Sequence, residues 1–215
     1  MNREEIQSMR RSYSERELAL PSNPILGFKD WLRDAAQLVS IVEPNAMVLS
    51  TLGPDGVMSS RSVLLKDANE DGFTFFTNYN SRKAHAIELN PQVTLLFPWY
   101  AMERQVSIAG FAEKISRDES EEYFATRPWS SQIGAWASAQ SAPLASRAEL
   151  EERFAGAAAK WPEGTTVPCP PHWGGYRVTP ISIEFWQGRY SRLHDRLRYE
   201  RANTHSDWEL NRYYP

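Results

Sequence analysis

Short apolar runs of high β-propensity follow one another along this chain with turn residues, rather than helices, between most of them. Residues 46–52 read as a buried strand, Gly53-Pro-Asp-Gly56 as a tight turn, and 57–66 as the return strand. Residues 68–72 make a second turn before Phe73-Thr-Phe-Phe-Thr77. Residues 93–97 and 105–114 supply two more strands. Three others lie near the C-terminus, at 176–186, 191–201 and 208–213, the first two joined at Gly188. Neighbouring strands without regular βαβ alternation point to a mainly β (α+β) protein, an antiparallel barrel or curved sheet with flanking helices.

The helices are marked by their caps. Asn23-Pro24 supplies an N-cap and a proline at the first helical position, and Phe28, Trp31, Leu32, Ala35 and Leu38 then repeat at helical spacing to about Ser40. Ser81 opens a short helix that must stop before Pro91. Ser116-Arg-Asp-Glu119 and Ser146-Arg-Ala-Glu149 are capping-box patterns, opening helices to Arg127 and Lys160. Residues 162–173 form a Pro-rich loop. Residues 1–22 lack clear periodicity and read as a mobile arm, leaving 23–215 as a single domain.

Composition narrows the function. A net charge of -3 argues against a nucleic-acid binder. The single cysteine, Cys169, can make neither an internal disulfide nor a Cys-based metal site, and no histidine spacing suits a metal. No run approaches the roughly 20 apolar residues that cross a membrane, and the polar N-terminus is not a secretory signal, so the expected location is cytoplasmic. Trp99, Trp129, Trp136, Trp173 and Trp186 fall near turns or segment ends, where a large ring can wall a pocket or an interface.

Cations are concentrated at a few places. Arg61 and Lys66 stand at the two ends of an apolar strand. Arg82 and Lys83 occupy the first turn of a helix, where the positive dipole end makes them unfavourable unless an anion such as phosphate binds. Tyr123 and Arg127 share a helix face and, with Ser131, can form a second phosphate cradle. Gln105 can donate to and accept from a heterocycle edge. Arg192, His194 and Arg196 are spaced two apart, which in an extended strand puts all three on one face. There is no carboxylate dyad, Ser-His-Asp order, HExxH, P-loop or GxGxxG. Anion cradles beside flat apolar walls suit a protein that holds a cofactor and leaves the hard step to it.

These segments together resemble the pyridoxamine 5'-phosphate oxidase family: Arg61-Ser-Val-Leu-Leu-Lys66, Phe76-Thr-Asn with Ser81-Arg-Lys-Ala-His85, Leu95-Leu-Phe-Pro-Trp99, Glu103-Arg-Gln-Val106, Ser131-Gln-Ile-Gly-Ala-Trp136, Phe185-Trp-Gln-Gly188 and Arg192-Leu-His-Asp-Arg196. The resemblance runs in order from about residue 10 to 215. It implies an FMN-binding split β-barrel working as a homodimer, with FMN between subunits. The implied reaction oxidises pyridoxine 5'-phosphate or pyridoxamine 5'-phosphate to pyridoxal 5'-phosphate, with O2 as acceptor. It releases H2O2, and ammonia from the amine. By position, the resemblance gives the cofactor Arg61, Ser62, Val63, Leu64, Leu65, Lys66, Phe76, Thr77, Arg82, Lys83 and Gln105. It adds Gln140, Ser141, Trp186 and Arg196 from the other subunit. The substrate receives Lys66, Tyr123, Arg127, Ser131, Arg192, Leu193 and His194, with Arg192 and His194 as the catalytic pair. Arg10, Arg11, Ser12 and Tyr13 would form a lid within the arm, and Glu43 falls where the family places an acid near the substrate. The chain departs from the family at Arg189-Tyr-Ser191 and at its end, Asn-Arg-Tyr-Tyr-Pro215. The competing readings are a split-barrel flavin or haem binder without oxidase activity and, more remotely, a nucleic-acid surface at 189–201.

Overall fold

The computed structural model describes residues 2–9, 13 and 18–215. Eight strands run β1 (Ala46–Leu52), β2 (Met58–Asn69), β3 (Gly72–Asn78), β4 (Gln92–Trp99), β5 (Arg104–Lys114), β6 (Trp173–Gln187), β7 (Asp195–Glu200) and β8 (Glu209–Tyr213). Their order is β3-β2-β1-β4-β5-β6-β7-β8, and an additional β3–β6 pairing closes the first six into an antiparallel barrel. The helices are α1 (Arg3–Ser8), α2 (Pro24–Gln37), α3 (Arg82–Leu89), α4 (Arg117–Ala125), α5 (Trp129–Ala137) and α6 (Arg147–Lys160).

Closure depends on β6 changing partners. Residues 173–178 pair with β3, and 182–187 pair with β7. Pro180, which has no N–H to give a ladder, sits at the changeover. Opposite it, a Cβ on Gly110 would stand 2.3 Å from the Thr179 carbonyl oxygen, so the two backbones approach closely only because residue 110 has no side chain. Between β2 and β3 the register slips from Leu65↔Phe75 to Asp67↔Thr74, which leaves Lys66 as the extra residue of a β-bulge.

The chain forms two compact units. One comprises 1–47, 95–109 and 181–215. Its core sets Phe28 edge-on to Phe97 at 4.8 Å and Trp31 edge-on to Phe185 at 5.1 Å. Asn23 caps α2 by accepting from the N–H groups of Ile25 and Leu26, as expected. The helix stops at Gln37 rather than near Ser40, because beyond Ala35 there is no further buried residue to hold another turn. The other unit comprises 48–94 and 110–180, and its helical layer buries Phe124, Ile133, Val167 and Trp173 together.

Two sequence expectations are corrected. Within the segment read as an arm, residues 3–8 form α1 behind an Asn2 capping box with Glu5. Helix α5 has no counterpart in the sequence reading. Its apolar residues Trp129, Ile133, Trp136 and Ala137 do recur at helical spacing, but its N-cap is Pro128, which offers no side-chain acceptor to mark the start; the helix buries Gln132, Ile133 and Ala137, with the Gln132 amide donating to the Phe124 carbonyl at 2.9 Å. The strand expected at 191–201 begins only at Asp195. Ser191 and Arg192 have φ of 55° and 63°, which no extended strand permits, and they lie in a single 3-10 turn.

Candidate active site

A cavity of about 660 Å3 lies within the second unit, of the size that holds a small molecule. The outer part of β2 contributes Arg61, Ser62, Val63, Leu64 and Lys66, and β3 contributes Phe76 and Thr77. Lys83 enters from α3, and Tyr123, Arg127 and Ser131 from the α4–α5 corner. The lining holds four cations, Arg61, Lys66, Lys83 and Arg127, and no carboxylate. A half-enclosed space with that balance is stabilised by an anionic occupant.

Each cation is held differently. Arg61 donates through Nη1 to the Leu49 carbonyl (3.1 Å) and to Thr51 Oγ1 (2.9 Å), and through Nη2 to Ser59 Oγ. Its partners are neutral, and burial followed by the nearby charge of Arg82 lowers its pKa. Lys83 donates to Gln140 Oε1 (2.7 Å) and Thr77 Oγ1 (3.1 Å), again without a carboxylate. Burial, then the charge on Arg61, bring its ammonium down to about 8. Arg127 lies over the Trp173 ring, 4.7 Å from its centroid, and its buried Nη1 has no partner. Burial lowers its pKa as well. Tyr123 stacks on Phe76 at 4.0 Å and 21°.

The local sequence explains the two cationic ends. Ser81 is fully buried and caps α3 by accepting from the Ala84 N–H, which fixes the helix start beside β3. No acid occupies the first turn. At the other end, Pro128 stops α4, and Gln132 ties the last α4 carbonyls to α5. Residues 127 and 131 are thereby held on either side of one corner.

A second cavity, of about 810 Å3, lies within the first unit, lined by Tyr13, Tyr100, Glu103, Arg104, Gln105 and Trp186 among others. Tyr13 packs edge-on against both Trp186 (5.9 Å) and His194 (5.5 Å). The His194 ring accepts the Arg189 N–H at Nδ1 (3.1 Å), so in its neutral form the proton sits on Nε2. Burial and then the charge of Arg192 lower its pKa, which favours that neutral form.

The expected site residues therefore separate into groups. Arg61, Ser62, Val63, Leu64, Lys66, Phe76, Thr77, Lys83, Tyr123, Arg127, Ser131 and Gln140 line the first cavity. Gln140, expected from another subunit, is bonded to Lys83 of its own chain, because Asn78 holds the Ser138 carbonyl and brings the segment after α5 back to α3. Leu65 is 4% exposed and points into the core, as alternation along β2 requires. Arg82 is exposed and outside the lining, as is Ser141, whose φ is 74°. Gln105 and Trp186 border the second cavity.

Arg192, His194 and Arg196 do not share a strand face, since only Arg196 lies in β7. Arg196 is held by Glu184 through Nε (3.0 Å) and Nη2 (2.9 Å). Leu193 is 69% exposed, and Glu43 lines neither cavity. Arg10, Arg11 and Ser12 lie outside the described residues. Thr126 and Trp173 line the first cavity without having been singled out as ligand-binding residues. For Trp173 the signal was its position at a loop's end.

The sequence matches two family descriptions: pyridoxamine 5'-phosphate oxidase over residues 33–160, and the pyridoxine 5'-phosphate oxidase C-terminal dimerisation region over 173–215. A pyridoxine/pyridoxamine 5'-phosphate oxidase of Streptomyces avermitilis is 50% identical over 93% of this chain and 90% of its own length. One of Nostoc punctiforme is 51% identical over 93% and 92%. Among solved structures, PhzG from Burkholderia lata in complex with tetrahydrophenazine-1-carboxylic acid is 31% identical with a TM-score of 0.86, covering 95% of this chain and 100% of that one. A pyridoxamine 5'-phosphate oxidase-related, FMN-binding protein of Nostoc punctiforme has a TM-score of 0.70 at 18% identity, a likeness of fold. On the family match and the extent of these identities, the chain belongs to the pyridoxamine 5'-phosphate oxidase family.

Proposed function

We propose that this protein is an FMN-dependent oxidase of pyridoxine 5'-phosphate and pyridoxamine 5'-phosphate, a cytoplasmic homodimer forming pyridoxal 5'-phosphate. The observation that carries the reading is the first cavity, with four cations and no carboxylate in its lining, neutral donors around Lys83, and a buried unpartnered Nη1 on Arg127. Two cationic ends separated by Phe76, Tyr123 and Trp173 suit two phosphates carried by two flat rings. The donor set fits FMN. Lys83 and Arg61 would hold its phosphate, and the β2 segment 62–64 and Phe76 would border its ring.

FMN, when bound, would supply a two-electron acceptor that O2 could reoxidise with formation of H2O2. The residues of this chain then bind and orient. Arg127, Tyr123 and Ser131 anchor the substrate's phosphate, and Lys66 on its bulge reaches toward the pyridine ring. Arg192 positions the C4' hydroxyl or amine, and His194 presents its Nε2 side to the same ring, the partner subunit supplying Trp186 and Arg196. Loss of two hydrogens from the alcohol leaves the aldehyde. The amine also needs one water and releases ammonia. Anchoring both rings removes orientational freedom before reaction. The segment containing Tyr13 closes over the substrate in this reading.

The test is oxygen consumption by the yellow purified protein. Turnover with pyridoxine 5'-phosphate and none with unphosphorylated pyridoxine supports the reading. Bound flavin with turnover of neither would make the protein a flavin-binding split barrel of another function.

A further inference from the structure

The aromatic floor of the first cavity is held in place with unusual completeness. Trp173 is 6% exposed. Its ring lies nearly parallel to Phe76 (5.3 Å, 12°) and Tyr123 (6.2 Å, 9°), with Phe124 edge-on at 5.0 Å. Its backbone is pinned too. The Trp173 carbonyl accepts from Arg117 Nη1 at 3.1 Å, and the same guanidinium holds the carbonyls of Cys169 and Pro170.

Arg127 rests on this fixed ring. It follows α4, where its N–H donates to the Phe124 carbonyl at 3.1 Å. Its guanidinium lies over Trp173 at 4.7 Å and near Phe124 at 5.6 Å. No carboxylate pairs with it among the described residues, and Nη1 has no partner. A long side chain without a polar tether loses rotamer freedom only if something else holds it. An aromatic face does this for arginine. It attracts the flat cation and leaves the N–H edge free for an anion.

We infer that Trp173 is a positioning residue for the substrate: its ring face holds Arg127 in the orientation that takes the substrate's phosphate, and so sets the preference for phosphorylated over unphosphorylated pyridine alcohols. The inference rests on the phosphate role proposed above for Arg127.

The test is a double-mutant cycle in the FMN-loaded enzyme. Trp173→Leu, Trp173→Phe and Arg127→Ala are made singly, and each Trp173 change is also combined with Arg127→Ala. KM and kcat for pyridoxine 5'-phosphate are measured at fixed oxygen. Trp173→Leu raises KM about tenfold, between the values for an exposed and a fully desolvated cation over an indole, and Trp173→Phe about twofold, since a smaller ring face remains. Both changes fall on KM more than on kcat. With Arg127→Ala already present, neither change raises KM further. An additive rise in the double variants overturns the inference, because Trp173 then acts by packing alone. If Trp173→Leu does not fold, the Phe cycle decides by the same criterion. A KM unchanged by Arg127→Ala alone overturns the phosphate reading instead, which separates the two failures.

Discussion

Lys83→Met probes the first cavity most sharply, because the structure predicts opposite effects on stability and on binding. The Lys83 ammonium donates to Gln140, Thr77 and Ser81, all neutral. Burial first, and the charge on Arg61 second, bring its pKa from 10.5 to about 8. That gap corresponds to about 3 kcal/mol, and partial solvent access reduces it to about 1.5–2 kcal/mol. The folded protein surrenders this proton before the unfolded chain does. The penalty is therefore full below pH 8 and fades between pH 8 and 10.5, so stability should rise across that window. Lys83→Met should stabilise the FMN-free protein at pH 7 by about 1.5 kcal/mol and abolish the rise.

Binding should move the other way. A phosphate dianion favours the ammonium, so FMN affinity should fall as pH climbs through about 8, approaching tenfold per pH unit above it. Lys83→Met should weaken FMN at pH 7 by about ten- to a hundredfold, the value of one hydrogen bond to a charged group, and should remove the slope. Urea denaturation at pH 7, 9 and 10 gives the first quantity, and flavin fluorescence titration from pH 6.5 to 9.5 gives the second. A wild-type affinity flat across that range, or a Lys83→Met protein with the same slope, would refute the assignment of Lys83 to the phosphate.

Arg192→Leu should cut kcat at least about a hundredfold while FMN absorbance stays stoichiometric, on the usual scale for losing a positioned polar group in a transition state; full activity would remove Arg192 from the site. Gly110→Ala should destabilise by about 3 kcal/mol in denaturant, because its Cβ would meet the Thr179 carbonyl at 2.3 Å and backbone must shift. Burial alone would raise the pKa of Glu184, but the hydrogen bonds from Arg196 and Arg198 hold it below the ordinary 4.5. The stabilisation from these pairs is thus present above pH 4.5 and is lost as pH falls through the lower folded value. Glu184→Gln should cost about 2 kcal/mol at pH 7 and flatten the acid limb of the stability profile, whereas an unchanged limb would show the pairs to be energetically idle.

The β1 boundaries, the Ser81 and Ser116 caps and the turn at Gly53–Gly56 were legible because each rests on local chemistry: alternation, a side-chain acceptor before a helix, a glycine at φ 73°. Helix α5 was not, since it starts after Pro128 with no capping side chain, so its short apolar period had no start signal beside it. The Arg192–Arg196 segment misled for a related reason. Spacing by two means a shared face only where the backbone is extended, and nothing in Ser191-Arg192 announces positive φ. The sequence puts Arg82 and Lys83 together at one helix start, yet only Lys83 turns into the cavity, because neighbouring helical residues point about 100° apart. The place of Trp173 at a loop's end suits a pocket wall, but its grip on Arg127 needs a contact across 46 residues that no local pattern encodes.

The handling of charge at the two groups of expected site residues is itself an argument for their division of labour. The first cavity keeps its cations unneutralised, and groups so arranged are suited to hold phosphates. Arg196, expected at the flavin, is treated differently. Its Nε and Nη2 are given to Glu184 and its Nη1 to the Tyr214 carbonyl, which uses three of its five N–H donors. An arginine already paired in this way brings directional hydrogen bonds with its charge compensated by Glu184. Such a donor suits the polar rim of a neutral ring system and not a phosphate. Added salt should therefore separate the two roles. Raising ionic strength from about 0.01 to 1 M shortens the screening length from about 30 to 3 Å, so KM for the phosphorylated substrate should rise steeply while kcat, set by ring placement, should stay nearly constant. A kcat that falls in parallel with phosphate affinity would place Arg196 among the unneutralised cations, against the geometry of its pairing with Glu184.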